Sequence, residues 1–223
     1  MDKLKRILIT GITGNLGQAT EALFDDYGWF VVGVSRGTGL DLTDWQAVDA
    51  FIEDCPAFDI VFMTHGTQQK VMISEFSPET WSSIVGNNLE SAAILSATLV
   101  RHRKIAPGGL VVYCSSIQAT QPRAGRGLYA LAKAGIEGLT RAMAVELAPH
   151  GRAIALRLGQ METTMKGVVF TEADINAILP YTPLPWVLNR DTAQLVYNLY
   201  HQLSISGEVI EVSSMHKFSV WPQ

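Results

Sequence analysis

Cysteine is scarce: two residues in 223, Cys55 and Cys114. Both stand in or beside apolar stretches without paired spacing, so two reduced, partly buried thiols are expected rather than a disulfide or a redox pair. Charge is also sparse, at 17% of residues, and the net charge of −4 gives no general attraction to nucleic acid or an anionic membrane. Long apolar runs are missing. The first, Arg6 to Thr10, breaks at Gly11, and no later run reaches the length of a signal-peptide core or a membrane span. The chain shows no internal repeat, low-complexity tract or dividing linker. A cytosolic protein with no membrane, nucleic-acid or metal partner is therefore expected.

What is present suits one globular unit: 48% hydrophobic residues in a chain long enough to bury a substantial core. Short apolar runs predict strands at 6–10, 30–35, 58–63, 109–114, 153–158 and 207–212. Helical patterns fall between them at 15–27, 43–54, 78–104, 129–148 and 189–203. Gly109 to Tyr113 is continuously apolar or small, as expected for a strand covered on both faces. Alternating strands and helices predict a doubly wound, Rossmann-type parallel sheet in three α/β/α layers, with residues 1–223 as a single domain. The one irregular stretch, 160–186, carries Pro180, Pro183 and Pro185 and is expected to form a substrate lid. The tail, 213–223, is apolar for an end segment and is expected to pack on the domain or on another subunit.

Thr10-Gly11-Ile12-Thr13-Gly14-Asn15-Leu16-Gly17 follows the first strand and opens a helix. Gly11 permits a tight turn, Gly14 a close approach of backbone to a pyrophosphate, and Gly17 close helix-to-strand packing. The helix start then offers N–H groups and positive dipole to phosphates. At the end of the second strand, NAD sites usually place an acid for the ribose hydroxyls. Here Val34-Ser35-Arg36 supplies none until Asp41. Ser35 and Arg36 suit a 2′-phosphate instead, so NADP(H) is the expected cofactor.

Tyr129 and Lys133 lie one turn apart on one face of a predicted helix. A tyrosine of ordinary pKa, near ~10, is a poor acid–base catalyst at neutral pH, and a nearby ammonium lowers that pKa. Ser116 ends the fourth strand, at the sheet edge where open α/β folds bind ligands.

In this order, the glycine turn, Ser116, Tyr129-Ala-Leu-Ala-Lys133 and the strand Gly207 to Val212 resemble the short-chain dehydrogenase/reductase family, in its compact single-domain branch. The resemblance runs almost end to end. It implies that Tyr129 exchanges a proton with the substrate oxygen while hydride moves to or from the nicotinamide. Lys133 would hold the nicotinamide ribose and depress the Tyr129 pKa, and Ser116 would bond the substrate oxygen. It further implies that Asn88 bends its helix and serves a proton-relay water, that Asp41 and Leu42 bind adenine, and that Thr163 lies near the nicotinamide amide.

The chain also departs from the family pattern. Its glycine spacing is the one commoner in the longer, sugar-nucleotide-modifying branch. Met63-Thr64-His65-Gly66 replaces the usual Asn-Asn-Ala-Gly, which leaves Thr64, His65 and Gly66 as cofactor-lining residues and the strand-bracing asparagines missing. His65 is read as lining or structural rather than catalytic. Leu158-Gly159 stands for the usual Pro-Gly, and Arg157 for a small apolar residue. Gln68, Gln118 and Gln160 follow pocket-rimming strands and would bind a small, polar carbonyl/alcohol substrate; Arg123 and Arg126 would instead recognise an acid. Two other readings remain: a catalytically idle NADP(H)-binding regulator, and a sugar-nucleotide-modifying enzyme. Helices 78–104 and 129–148 are apolar on more than one face, and the resemblance implies pairing into a homodimer or homotetramer.

Overall fold

The computed structural model describes residues 4–161 and 187–213. Six strands form one parallel sheet: β1 (Arg6–Thr10), β2 (Phe30–Val34), β3 (Phe58–Met63), β4 (Ile105–Ser116), β5 (Gly151–Leu158) and β6 (Val209–Val212). They lie in the order β2-β1-β3-β4-β5-β6. The helices are α1 (Asn15–Asp26), α2 (Trp45–Asp54), α3 (Pro78–Trp81), α4 (Ser91–Arg101), α5 (Gly127–Leu147) and α6 (Asn189–Tyr200).

Alternation along β1 sorts the core into two layers. Leu8 faces the cluster holding Val48, Ile52, Leu95, Leu99 and Ile136, from α2, α4 and α5. Ile7 and Ile9 face the opposite cluster, with Phe24 from α1 and Val196 and Leu199 from α6. Both faces of the sheet are thus covered, which is why β3 is buried at all its residues. Each large side chain so buried contributes roughly 1.5–3 kcal/mol. This is the three-layer, doubly wound fold expected from the sequence.

The topology builds a crevice. From β1 the chain moves outward to β2, then returns to β3 on the other side of β1, so the winding reverses there. β4 also overshoots β3. Their last pairing is Met63 with Tyr113, whereas β5 accompanies β4 as far as Ser116 opposite Leu158. Cys114, Ser115 and Ser116 therefore stand above the end of β3.

Two elements differ from expectation. β4 begins at Ile105 rather than 109, because Pro107-Gly108-Gly109, a turn signal in sequence, forms an irregularity inside the strand. Gly108 takes φ +78° there, and its N–H donates to the His150 carbonyl at 2.6 Å. The expected helix 78–104 ends at Arg101 and is not uniform: between α3 and α4, Ser82–Glu90 is a π-helix.

Candidate active site

Gly11 has φ +70°, and a Cβ there would lie 2.9 Å from the His65 backbone. A Cβ on Gly17 would come within 2.4 Å of the Gly11 carbonyl oxygen, so the loop and the first turn of α1 close on each other only because both residues are glycine. α1 begins at Asn15 and Leu16 with no side-chain cap and no acid in its first turn. The positive end of the helix dipole is therefore not offset by a neighbouring carboxylate.

Beyond β2, Ser35 and Thr38 form a reciprocal cap: Thr38 N–H donates to Ser35 Oγ at 3.2 Å, and Ser35 N–H to Thr38 Oγ1 at 2.8 Å. A Cβ on Gly37 would lie 3.3 Å from Thr13 Cγ2 and 3.4 Å from Ser35 Oγ, so the glycine loop and this turn adjoin. Arg36 is exposed beside them. Asp41 accepts hydrogen bonds from the Thr43 N–H and hydroxyl, which hold its carboxyl below the usual range. The Leu42 side chain lies in the core.

The crevice brings Ser116, Tyr129, Lys133 and Asn88 together. All four are nearly buried, at 9%, 8%, 4% and 1% exposure. Ser116 stands beside Tyr129, and its Oγ accepts from Gln118 N–H at 3.2 Å. Lys133 Nζ donates to the Cys114 carbonyl at 2.8 Å and lies 5.5 Å from the centre of the Tyr129 ring. Asn88 donates to the Thr67 and Ile84 carbonyls at 2.8 and 2.7 Å. The Ile84 bond occupies a carbonyl four residues back, within the π-helix. Asn88 Oδ1 is buried without a partner among the described residues. A Cβ on Gly66 would meet that oxygen at 2.5 Å and Lys133 Nζ at 3.5 Å, so Gly66 is what lets the two converge.

The expected depression of the Tyr129 pKa is absent from the protein alone. Burial pushes it up to about 12, and the Ser116 hydroxyl and the Arg126 charge offset this only in part. Burial also brings Lys133 down to about 8. At neutral pH Tyr129 thus holds its proton while Lys133 remains largely charged. That is the state of a proton donor.

Two further groups support the site. His65 replaces a missing asparagine brace: Nδ1 meets Thr10 Oγ1 at 2.5 Å and Nε2 meets Ser91 Oγ at 2.9 Å, linking β1 to α4. Burial, reinforced by the charge of Lys133, lowers its pKa to about 3, so the ring is neutral and structural. Thr64 Oγ1 adds a 2.7 Å bond to the Thr10 carbonyl. The second support is Glu137, one turn beyond Lys133. Arg157 holds its carboxylate with two bonds, at 2.9 and 2.8 Å, and Ser115 Oγ donates to it at 2.8 Å. Arg157 also pairs with Glu211 at 3.5 Å, tying α5 to β4, β5 and β6.

Of the three glutamines, one is engaged within its own loop. Gln118 Oε1 accepts from the Arg123 N–H at 2.9 Å and so braces its own loop. Gln68 is half-buried, as is Gln160, whose carbonyl accepts from Val187 N–H at 3.1 Å. Thr163, nearly all of the expected lid and the tail beyond Ser213 lie outside the described residues. Cys55 and Cys114 are free thiols, as expected. No described helix is long and apolar enough to cross a membrane.

Against known families, residues 36–174 match the one described as short chain dehydrogenase. A 3-oxoacyl-[acyl-carrier-protein] reductase of Vibrio harveyi is 26% identical over 183 residues, spanning 72% of this chain and 75% of that protein. Among solved structures, a small-chain dehydrogenase in complex with NADPH superposes with a TM-score of 0.85 at 23% identity, covering 96% of this chain and 98% of its own. A 3-ketoacyl-(acyl-carrier-protein) reductase of Brucella melitensis complexed with NADH gives 0.82 at 22%, covering 94% and 97%. At these identities the likeness to the structures establishes the fold.

Proposed function

The chain belongs to the short-chain dehydrogenase/reductase family of oxidoreductases, and from that premise we propose that it is an NADP(H)-dependent enzyme reducing a carbonyl to an alcohol. The observation that carries this reading is the buried, neutral Tyr129 phenol, with Ser116 beside it and the Lys133 Nζ 5.5 Å from the centre of its ring. When bound, NADPH supplies hydride to the carbonyl carbon. Ser116 and Tyr129 receive the carbonyl oxygen, and Tyr129 passes its proton to that oxygen as charge develops there. Lys133 stabilises the phenolate left behind. Asn88 Oδ1, buried and unpartnered among the described residues, suits a water that returns a proton to this pair.

The residues present fit the dinucleotide. Gly11, Thr13, Gly14, Asn15, Leu16 and Gly17 form a tight cradle at an uncapped helix start, the setting for a pyrophosphate. Thr64, His65 and Gly66 border the same crevice. The fold neighbours hold NADPH in one case and NADH in another, so the fold does not choose between them. Arg36 beside Ser35, with no acid at that strand end, favours the 2′-phosphate. Arg36→Ala is expected to weaken NADPH roughly 10–150-fold, the worth of a charge-assisted contact, while leaving NADH within about twofold. Equal losses in titrations with the two cofactors would show that Arg36 does not read the phosphate. The same reading includes assembly into a homodimer or homotetramer, supported by the exposure of Leu131 and Val145 on α5 and of Trp81 on α3.

A further inference from the structure

Arg126 stands immediately before α5, three residues ahead of Tyr129. At a helix start that spacing puts two side chains on one face, so the guanidinium and the phenol share a side. Its Nη1 is buried and has no hydrogen-bond partner among the described residues. Burial lowers the Arg126 pKa, the proximity of Tyr129 acting in the opposite direction. A guanidinium left part-buried with an idle donor is costly, and an anion entering beside it removes that cost.

The surroundings repeat the theme. The segment before α3 is joined to the loop before α5 by a 2.9 Å bond from Val71 N–H to the Gly125 carbonyl. The Lys70 stem lies against Gly125, where a Cβ would meet its Cγ at 2.6 Å. Lys70, Arg123 and Arg126 thus stand on the loop before α5 or on the segment joined to it, in a chain whose net charge is −4. The acid on the facing segment, Glu75, is engaged by the Met72 N–H at 2.9 Å. Ile73 and Phe76 complete the wall: their side chains lie 3.7 and 3.2 Å from where a Cβ on Gly127 would stand, yet remain 77% and 38% exposed.

We propose that the substrate is an oxo acid whose carboxylate is bound by Arg126, with its hydrocarbon part against Ile73 and Phe76. The assignment rests on the reductase reading above and names the substrate class within it. Chemically, hydride from NADPH adds to the ketone carbon, the C=O π bond opens, and the oxygen takes the Tyr129 proton. The carboxylate is unchanged, and the products are a hydroxy acid and NADP⁺. A free carboxylate fits better than an acyl group carried on another protein. The unsatisfied Nη1 is buried in the neighbourhood of Tyr129, a setting that suits a small group rather than a protein surface.

The test compares acids with their neutral partners. Calorimetry with NADP⁺-loaded protein is run against hexanoate and hexanamide, with inorganic phosphate as a third probe. Hexanoate is expected to bind at least about tenfold more tightly than hexanamide or phosphate, a preference falling to within threefold in Arg126→Gln. Turnover of oxo acids and their methyl esters should show the same contrast in kcat/KM, the ratio being the readout, so that a general loss of activity in the variant does not imitate it. Equal binding of acid and amide by the unmodified protein, or no binding of either, overturns the proposal without any variant having to fold. Tighter binding of phosphate, or preference for the ester, does so as well. Failure of the reductase reading looks different: no carbonyl of either class would be reduced.

Discussion

Tyr129→Phe is expected to lower kcat for carbonyl reduction by about 10²–10⁴-fold, the usual worth of a positioned general acid. The substitution removes one oxygen and keeps the ring that packs with Val71, Ile84, Val85 and Leu128. Fold and NADPH affinity should therefore stay within a few-fold. The phenol is also in the required form. With its pKa pushed up to about 12, Tyr129 holds its proton throughout the neutral range, and Lys133, brought down to about 8, still carries most of its charge at pH 7. Residual activity above about a tenth of the unmodified enzyme would mean that another group delivers the proton.

The second large effect is on stability. Arg157→Ala leaves the Glu137 carboxylate, 9% exposed, without the guanidinium that holds it. Removing one partner of a buried pair costs about 3–5 kcal/mol, and because Arg157 keeps 20% exposure a loss of about 2–4 kcal/mol is expected. Thermal unfolding should then begin roughly 5–15 °C lower. Replacing both partners, Glu137→Leu with Arg157→Val, should recover most of that loss, because no charge is then left buried. Burial opposes the Glu137 charge, but the Arg157 and Ser115 bonds and the Arg157 charge outweigh it and hold the pKa below its ordinary value. The group's folded pKa is thus depressed. Its contribution is fully present above the unfolded value of ~4.3 and is lost as pH falls through the lower folded value. Equal stability of Arg157→Ala and the unmodified protein at pH 7 would show that the pair contributes nothing.

Local pattern made most of this architecture readable. Strands 6–10 and 58–63 match β1 and β3 to the residue, because apolar runs bounded by polar or turn residues leave little choice of register. β4 was cut short because Pro107-Gly108-Gly109 reads as a turn, and only pairing of Ile105 with Phe58 on the neighbouring strand continues it. The π-helix has no sequence period of its own, and the acceptors of Asn88, the Thr67 and Ile84 carbonyls, meet it only in the fold. At the site, Ser116, Tyr129 and Lys133 were legible from spacing and order. The bracing role of His65 was not, since Thr10 and Ser91 meet it only in the fold. Glu137 and Arg157 did leave a signal. Tyr129, Lys133 and Glu137 recur every four residues on one helix face, and Arg157 is a charge on a strand that is otherwise buried at every position. A buried helix carboxylate and a strand guanidinium call for each other. The depression of the Tyr129 pKa expected from Lys133 was wrong for the protein alone, because the Lys133 ammonium is bonded to the Cys114 carbonyl and burial dominates the phenol.

The central claim is that this crevice moves a hydride, and isotope transfer tests it most directly. The unmodified protein is incubated with NADPH carrying deuterium at the transferable position and a panel of ketones and oxo acids, and the alcohols are analysed by mass spectrometry. The account predicts one deuterium at the carbinol carbon of at least one product. Saturable NADPH binding with no label in any alcohol would contradict it and identify an idle cofactor-binding protein instead.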